Sequence, residues 1–582
     1  MTISSASRLA ERLRLLRLVT ARGGLKLRAR FARLFLPLGQ WGSRPPERLL
    51  IAPKDLRTGD PTVAADIYAG YYAFGGKTVS AHGRTPFEIA APSEEWARIL
   101  NGFGWLRHLR AADTALARAN ARLLVREFIV LSGRTSTFPA WDSDVVARRT
   151  LSWLHQSPML LDGVDHDEYR RFLRVLSRGY WLLRRDASDD LAGGVQLTAA
   201  IAMTAFALCV QGGANMLKRA IATLNDQLNK QILLDGGPIG RNPQTLVDLL
   251  FDLLPLRQAF AARGLSPPPE LLNAIDRMTP ALRMFRHGDG FLALFNGAGV
   301  TAPECITLAL AYGESLGQPI FNARYSGYQR LEGGDALVLV DAGSPPPPLY
   351  SPAAHAGCLS FEFSLGSERI VVNCGAPGAR RADLRAIART TAAHSTLIVN
   401  DASSCLFSAQ ASVRGWFDDE ILSGPSHVPV ARTDDERETT VVASHDGYKK
   451  RFGLIHERKL KLQTNGGRLG GWDRLIAEGQ AGAKENRYDI RFHIHPSVAL
   501  TSIWDGLGVL LQTANGVALT FEAGGLQVDV EESIFFAAPD GPRACEQIVI
   551  HGVTSAISEV HWSFSLEAPF ADDGETENAG VP

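Results

Sequence analysis

The hydrophobic pattern divides the chain into two parts. From about Trp96 to Leu316, apolar residues recur at i, i+3, i+4 and i+7, in segments separated by turn signals. Six segments predict helices: ALARANARLLVREFIVL, VVARRTLSWLHQSPMLL, EYRRFLRVLSRGYWLLRR, LKRAIATLNDQLNKQIL, TLVDLLFDLLPLRQAFAARG and LLNAIDRMTPALRMFR. Sequential helices joined by short loops pack as antiparallel neighbours, which predicts a bundle, a solenoid or a toroid.

After Tyr325 the period changes from 3.6 to 2. In CLSFEFS, the apolar Leu359, Phe361 and Phe363 alternate with polar residues, and LGSE then turns into RIVVNCG, which is typical of a hairpin. Similar short runs with Gly and Asn turns continue toward the C-terminus and predict a large antiparallel β-sandwich. The change between the two patterns lies near Gln318 to Asn322.

Helices followed by strands predict an α+β chain of several domains. We expect a basic N-terminal segment and lead-in over 1–90, a helical domain over 91–320, a sandwich over 321–568 and a disordered acidic tail over 569–582. The 582 residues are enough for two or more cores.

Composition narrows the functional classes. Lys+Arg and Asp+Glu both number 61, so no global basic surplus favours nucleic-acid binding. The six cysteines are scattered without a CxxC pair, and they neither require nor exclude an oxidising compartment. The most apolar stretch, from Leu197 to Val210, is shorter than the roughly 20 residues of a spanning helix and predicts a buried core helix.

The first 35 residues are strongly basic. A signal peptide would continue into an uninterrupted apolar region with a cleavage site, and this pattern is missing. The segment predicts either a terminal helix with a solvated basic face or an amphipathic helix that contacts an anionic membrane surface. Its cationic residues are Arg8, Arg12, Arg14, Arg17, Arg22, Lys26, Arg28, Arg30 and Arg33.

Common catalytic motifs are missing from the sequence. No GxGxxG follows a strand, GxxxxGK[ST] and HExxH do not occur, and the single GxSxG match, GESLG at 313–317, follows a helix-like segment instead of the strand that a nucleophile elbow requires. These absences argue against nucleotide cofactors, serine hydrolases and zincins.

Polar residues at predicted strand ends are the first candidates for chemistry. His355 precedes the strand of CLSFEFS, Asn373 ends the returning strand, and His394 begins the next one, five residues after Arg389. Strand ends are where loops and clefts gather. A single histidine of this kind is more often structural, but the clustering of these residues favours a site.

Two further groups of polar residues are candidates for substrate binding. Arg241 and Asn242 open the helix TLVDLLFDLL, where they either cap the helix or bind a carboxylate with the help of the positive helix end. Tyr325 and Tyr328 lie at the junction of the two parts, where they face either the core or a cleft.

These blocks resemble the heparinase II/III family of polysaccharide lyases. The resemblance is carried by HAGCLSFEFS, VVNCG and RTTAAHSTLIVND, later by HERKLKL, GGWDRL and RFHIHPSV, and in the helical half by FGWLRHLRAAD, RRTLSWLHQSP and DLLPLRQAFAARG. It implies an (α/α) toroid of helical hairpins followed by an antiparallel β-sandwich. It also implies β-elimination on an acidic, uronate-containing polysaccharide, in the cell envelope or periplasm. The lack of a legible signal peptide is compatible with the cytoplasm instead.

The resemblance assigns roles to the candidate residues. His394 and His355 are the catalytic candidates, as base or as carboxylate-binding groups. His355, Asn373 and His394 also match the positions of a family metal site, which implies Zn²⁺ with an amide in place of a carboxylate. The implied substrate-binding residues are Arg389, Asn373, Arg241, Asn242 and Tyr328.

The chain also departs from the family pattern. Ala353 stands where the catalytic histidine is expected, Val195 and Gln196 replace an Asn-His pair, and Thr245 corresponds to the catalytic tyrosine. The leading hypothesis is a lyase. A catalytically degenerate glycan-binding protein on the same scaffold is the alternative, and an assembly protein at the membrane surface is a third hypothesis. The oligomeric state stays open.

Overall fold

The computed structural model describes residues 46–132, 139–187, 193–313, 317–408, 419–482 and 484–566. The predicted basic N-terminal helix and the predicted acidic tail lie outside the described residues.

The first described part is helical. A lead-in of helix α1 (Pro61–Tyr68) and a hairpin of β1 (Tyr71–Phe74) and β2 (Lys77–Ser80) precedes it. Side-chain caps begin several of the helices; Ser93 accepts from Trp96 N, and Asp165 accepts from Glu168 N. The further helices are α2 (Glu94–Gly102), α3 (Leu106–Ala112), α4 (Ala115–Ser132), α5 (Ser143–Leu160), α6 (His166–Asp186), α7 (Val195–Cys209), α8 (Ala214–Gln231), α9 (Gln244–Ala262), α10 (Pro269–Met284) and α11 (Pro303–Tyr312).

Helix α7 carries the most apolar stretch of the sequence. Nearly all of its side chains are buried, which is the environment predicted for a core helix. Among the described helices, none has the length and apolar character needed to cross a membrane.

The second described part consists of antiparallel strands in two large sheets. One sheet has the order β19-β20-β15-β7-β6-β5-β4-β3, with β8 pairing with β15, and the other has the order β11-β12-β13-β14-β21-β18-β17-β16. The first sheet comprises β3 (Asn322–Ala323), β4 (Tyr328–Gly333), β5 (Ala336–Asp341), β6 (Phe361–Leu365), β7 (Glu368–Val372), β8 (Leu397–Val399), β15 (Arg487–Ile494), β19 (Asp529–Phe535) and β20 (Arg543–Val553). The second comprises β11 (Val430–Asp434), β12 (Glu438–His445), β13 (Leu454–Gln463), β14 (Arg468–Ala477), β16 (Val498–Ile503), β17 (Gly508–Thr513), β18 (Ala518–Glu522) and β21 (Glu559–Leu566).

The core of the sandwich is formed by the facing apolar side chains of these sheets, including Phe361, Phe492 and Trp562. The remaining short elements are β9 (Leu406–Phe407) and β10 (Ile421–Ser423), which pair with each other, and the single helical turns α12 (Arg385–Ala388), α13 (Lys449–Phe452) and α14 (Gly479–Gly482). Helices followed by an antiparallel sandwich confirm the predicted fold class.

Strand β6 differs from the alternation read in its sequence. Alternation is typical of a strand with one solvated face, yet Glu362 and Ser364 are as buried as Phe361 and Phe363. The reason is that the polar face packs against the segment after α10, where His287 reaches both polar side chains: its Nδ1 lies 2.9 Å from Ser364 Oγ and its Nε2 3.0 Å from Glu362 Oε2.

Arg241 joins the helical part to the first sheet. Its guanidinium is buried and pairs with the equally buried Asp341 at the end of β5. The same group donates hydrogen bonds of 2.7–3.2 Å to four backbone carbonyl groups, those of Ser326, Gly327, Gly343 and Ser344. Although burial opposes the charge, Asp341 raises the pKa of Arg241 above its usual value. These contacts of the Arg241 guanidinium fix how the helical part and the first sheet meet.

Candidate functional site

Two histidines from separate loops of the first sheet contact each other. His355 precedes β6, and His394 follows a turn before β8; His355 Nδ1 lies 3.1 Å from His394 Nε2. His394 Nδ1 is 2.7 Å from the carbonyl oxygen of Thr390, to which only a protonated nitrogen can donate. His394 Nε2 therefore accepts, and His355 donates from Nδ1. This assignment leaves His355 Nε2 unprotonated.

The close approach depends on a glycine. A Cβ at Gly357 would lie 2.6 Å from Cδ2 of the His394 ring, a distance that side chains do not tolerate. The glycine therefore allows the His355 loop to pass directly over the second imidazole.

Both imidazoles are neutral near pH 7. Burial, the neighbouring His394 and the charge of Arg389 hold the pKa of His355 well below its usual range. Burial lowers the pKa of His394 to about 4, against the opposing effect of its bond to Thr390. Nε2 of His355 is thus an unprotonated base.

Asn373 lies close to the pair but is enclosed. Its side chain is fully buried; Oδ1 accepts from Ser395 N at 3.1 Å, and Nδ2 donates to Glu362 Oε1 at 3.2 Å. Glu362 also accepts from the backbone N–H of Leu294. Asn373 therefore braces the strand end that follows His394 and does not reach the cleft.

The predicted Zn²⁺ site does not fit these contacts. Its two imidazoles, His355 and His394, are joined to each other, and the neutral amide of Asn373 is engaged on both sides. Across the described residues, no group of three or more His, Cys, Asp or Glu side chains could hold a metal ion.

Arg389 supports the His355 loop. Its guanidinium donates to the carbonyl groups of Ala354 at 2.8 Å and Ser351 at 3.0 Å, and it lies over the ring of Phe407. Burial lowers the pKa of Arg389 to about 10, so the side chain stays cationic. Arg389 lines the cleft while holding the loop that carries His355.

Three other candidates lie outside the cleft, which corrects their expected role as substrate contacts. The Arg241 guanidinium pairs with Asp341, where the helical part meets the first sheet. Asn242 accepts from Gln244 N at 2.8 Å, next to the first residue of α9. Tyr328 is buried and donates from its hydroxyl to the Arg241 carbonyl group. The partners of Arg241 and Tyr328 are far away in sequence, so the pattern of donors alone did not predict this use; Asn242 makes the local contact at the helix start that was one of its two predicted roles.

The cleft lies between the helical part and the first sheet. One cavity of about 1190 Å³ contains His355 and Arg389, and a second of about 1080 Å³ continues along the helical wall. Ala353 lines both, so the two form one groove. Val195 and Thr245 line the second cavity opposite the sheet. The structure thus brings together three of the positions at which the chain departs from the family pattern.

The lead-in hairpin closes one side of the first cavity. Gly76, with φ of +73°, lies so close to the loop after β7 that a Cβ would come within 2.5 Å of Arg380 Cα. Arg385 of the same loop pairs with Glu95 of α2 at 3.3 Å. Both contacts hold the basic loop 376–389 against the helical part.

Comparison with known proteins gives two kinds of match. The family model for the heparinase II/III-like C-terminal domain matches residues 316–563. FtsZ-localized protein C of Caulobacter vibrioides is 30% identical over 503 residues, which are 84% of this chain and 85% of that protein.

Solved structures with the same fold are more distant in sequence. Heparinase III has a TM-score of 0.66 at 13% identity, covering 83% of this chain and 79% of that chain. Heparan sulfate lyase HepC from Pedobacter heparinus has a TM-score of 0.58 at 13% identity, covering 92% of this chain and 87% of that chain. At this identity the likeness supports the toroid-plus-sandwich fold alone.

The lowered pKa of His394 predicts a pH dependence of stability. Unfolding returns the pKa from about 4 to roughly 6.5, so the unfolded chain binds a proton first as the pH falls. The contribution of neutral His394 to the stability of the fold is complete above pH ~6.5 and is lost as the pH falls toward ~4. The free energy of unfolding of wild type should therefore fall by about 2 kcal/mol relative to His394→Gln between pH 7 and 5.

Denaturant titrations at the two pH values measure this difference. His561→Gln is the matched control, because it makes the same substitution at a histidine whose side chain is 65% exposed. A constant difference between His394→Gln and wild type would contradict the assignment of a neutral, buried pair.

Proposed function

Because this chain belongs to the heparinase II/III family, we propose that it binds an acidic polysaccharide in the cleft between its helical and sheet parts. The cationic lining of the first cavity carries this proposal. Acidic Asp383, Asp419 and Asp540 are outnumbered there by five cationic residues, Lys77, Arg380, Arg381, Arg385 and Arg389.

Two of these cations are available to a ligand. Lys77 on the hairpin and Arg380 on the loop that packs against it are exposed, and neither side chain forms a hydrogen bond or an ion pair with a described residue. Both line the first cavity, so carboxylate or sulfate groups of one polymer can contact both. Guanidinium groups in particular match the geometry of such anions.

The shape of the groove supports a chain-like ligand. The second cavity extends the first along the helical wall, and together they offer more room than the roughly 300–1,000 Å³ of a usual small-molecule pocket. An extended oligosaccharide would use this length.

The residues at the positions of the family's catalytic groups favour binding over cleavage. Ala353, Val195 and Thr245 carry alkyl or hydroxyl side chains that do not exchange a proton near neutral pH. Proton transfer to a leaving oxygen therefore has no donor at these positions, whereas binding needs only the cations.

Calorimetric titration with heparan sulfate and alginate oligosaccharides tests the proposal, with neutral dextran as the ligand control. We expect binding that weakens with salt, because exposed charges are screened. Each lost cation is worth about 0.2–1 kcal/mol, so Lys77→Ala combined with Arg380→Ala should bind several-fold more weakly.

Arg437→Ala is the matched control, since Arg437 is an exposed arginine that does not line the groove. Its affinity should equal that of wild type. Binding that is unaffected by the Lys77 and Arg380 changes, or no binding to any acidic polymer, would contradict the proposal.

A second candidate function is β-elimination, and the unprotonated Nε2 of His355 is the observation that favours it. Nε2 would take the C5 proton of a uronate while nearby cations stabilise the carboxylate. The C5–H electrons then form the C4–C5 double bond as the C4–O4 bond breaks, and the imidazolium returns the proton to the departing oxygen.

Ultraviolet absorbance of the unsaturated product separates the two functions. A lyase gives an increase that His355→Gln abolishes while affinity is retained. A binding protein gives none with any polymer that it binds.

The curated relative suggests a location. That protein is named for localising with FtsZ, and we extend the same location to this protein. A fluorescent fusion is expected to co-localise with FtsZ and to disperse when FtsZ is depleted. A distribution that does not follow FtsZ would contradict this and would favour the envelope or periplasm implied by the family resemblance.

A further inference from the structure

A buried ion pair in the sandwich lies behind the two histidines. Arg458 of β13 and Asp473 of β14 are paired across the two strands, and both are almost completely buried. Arg458 Nε donates to Asp473 Oδ1 at 2.7 Å, and Nη2 donates to Oδ2 at 3.0 Å. These residues come from HERKLKL and GGWDRL, two blocks that the proposed function leaves unexplained.

The carboxylate of Asp473 is fully satisfied. Trp562 Nε1 donates to Oδ2 at 2.9 Å, and His456 Nε2 donates to Oδ1 at 2.7 Å. His456 in turn accepts from His445, whose other nitrogen accepts from Gly447 N. Every member of this network has one fixed orientation, so Arg458 is held in place from one side.

The other side of Arg458 reaches the loops of the candidate site. Nη1 donates to the carbonyl group of Leu359 at 2.9 Å and to that of Ser395 at 2.8 Å. Leu359 is four residues after His355, and Ser395 directly follows His394. One guanidinium thus ties together the two chain segments that carry the histidine pair.

The backbone at Leu359 needs such support. Its φ of +64° lies in the left-handed region, which branched side chains rarely adopt. The N–H of Leu359 donates to the Asp341 carbonyl group at 2.7 Å, and its own carbonyl group accepts from Arg458. The two bonds hold the residue in this conformation from opposite sides.

We propose that Arg458 is a positioning residue for the His355–His394 pair. By holding the carbonyl groups of Leu359 and Ser395 on one planar group, it keeps the two imidazoles in hydrogen-bond contact at the point where His355 lines the cleft. The relevance to a ligand rests on the proposed function; the positioning itself does not.

The test measures the histidines without any ligand. Diethylpyrocarbonate modifies accessible neutral imidazoles, and mass spectrometry gives the rate at each position. His394 is 1% exposed and should react slowly in wild type. In Arg458→Met, loss of charge-assisted hydrogen bonds should raise that rate about tenfold or more, because the loops open more often.

Arg458→Lys separates positioning from stability. A lysine keeps the positive charge beside Asp473, but its single nitrogen cannot serve the carboxylate and both carbonyl groups in the fixed planar arrangement. We expect faster His394 modification in this variant as well, so the test remains decisive if Arg458→Met fails to fold.

Arg474→Met is the matched control. Arg474 follows Asp473 on β14 and pairs across the same two strands with Glu457, but its side chain is 42% exposed. His394 should react at the wild-type rate in this variant. Equal rates in wild type, Arg458→Lys and Arg474→Met would overturn the proposal, whatever the outcome of the polysaccharide titrations.

Discussion

The candidate site depends on the buried ion pair between Arg241 and Asp341. Arg241 comes from the helical part and Asp341 from β5, so their contact sets the distance between the two walls of the groove. Breaking a buried pair on one side typically costs about 3–5 kcal/mol, because it leaves an uncompensated charge. Asp341 also accepts from Asn296 Nδ2, and Asn296 Oδ1 accepts weakly, at 3.4 Å, from the His355 backbone. The joint between the parts and the histidine loop are therefore coupled through one carboxylate.

Much of the fold was predictable from the sequence because buried apolar residues recur along the chain with the period of the helix or strand that they form. The six helical segments and the strands of CLSFEFS and RIVVNCG have the periods of the elements they form. The pattern was misleading at Glu362, where alternation is typical of a solvated face. The helical part covers that face, and a single strand carries no information about what packs on it.

The site was predictable only in part for the same reason. His355 and His394 were found because both stand at strand ends, and they contact each other. Arg241 was identified as a donor, but its acceptor lies 100 residues later. The short-range sequence pattern therefore suggested that Arg241 binds the carboxylate of a ligand, whereas in the folded chain it binds the carboxylate of Asp341. Arg458 was visible only as part of a family-like block, since its role comes from two carbonyl groups brought together by tertiary structure.

The fold and the side chains that line the groove indicate partly different functions. Family membership supplies the toroid and sandwich, but a fold does not determine an activity. The groove keeps a neutral imidazole and a surplus of cations, while the opposing positions carry alanine, valine and threonine. This combination of side chains attracts an acidic polymer but provides few groups that could cleave it. A crystal structure with an acidic hexasaccharide would test that claim most directly. The account predicts the sugar chain in the first cavity, in contact with Lys77 and Arg380 and beside His355; an oligosaccharide bound at any other surface would contradict it.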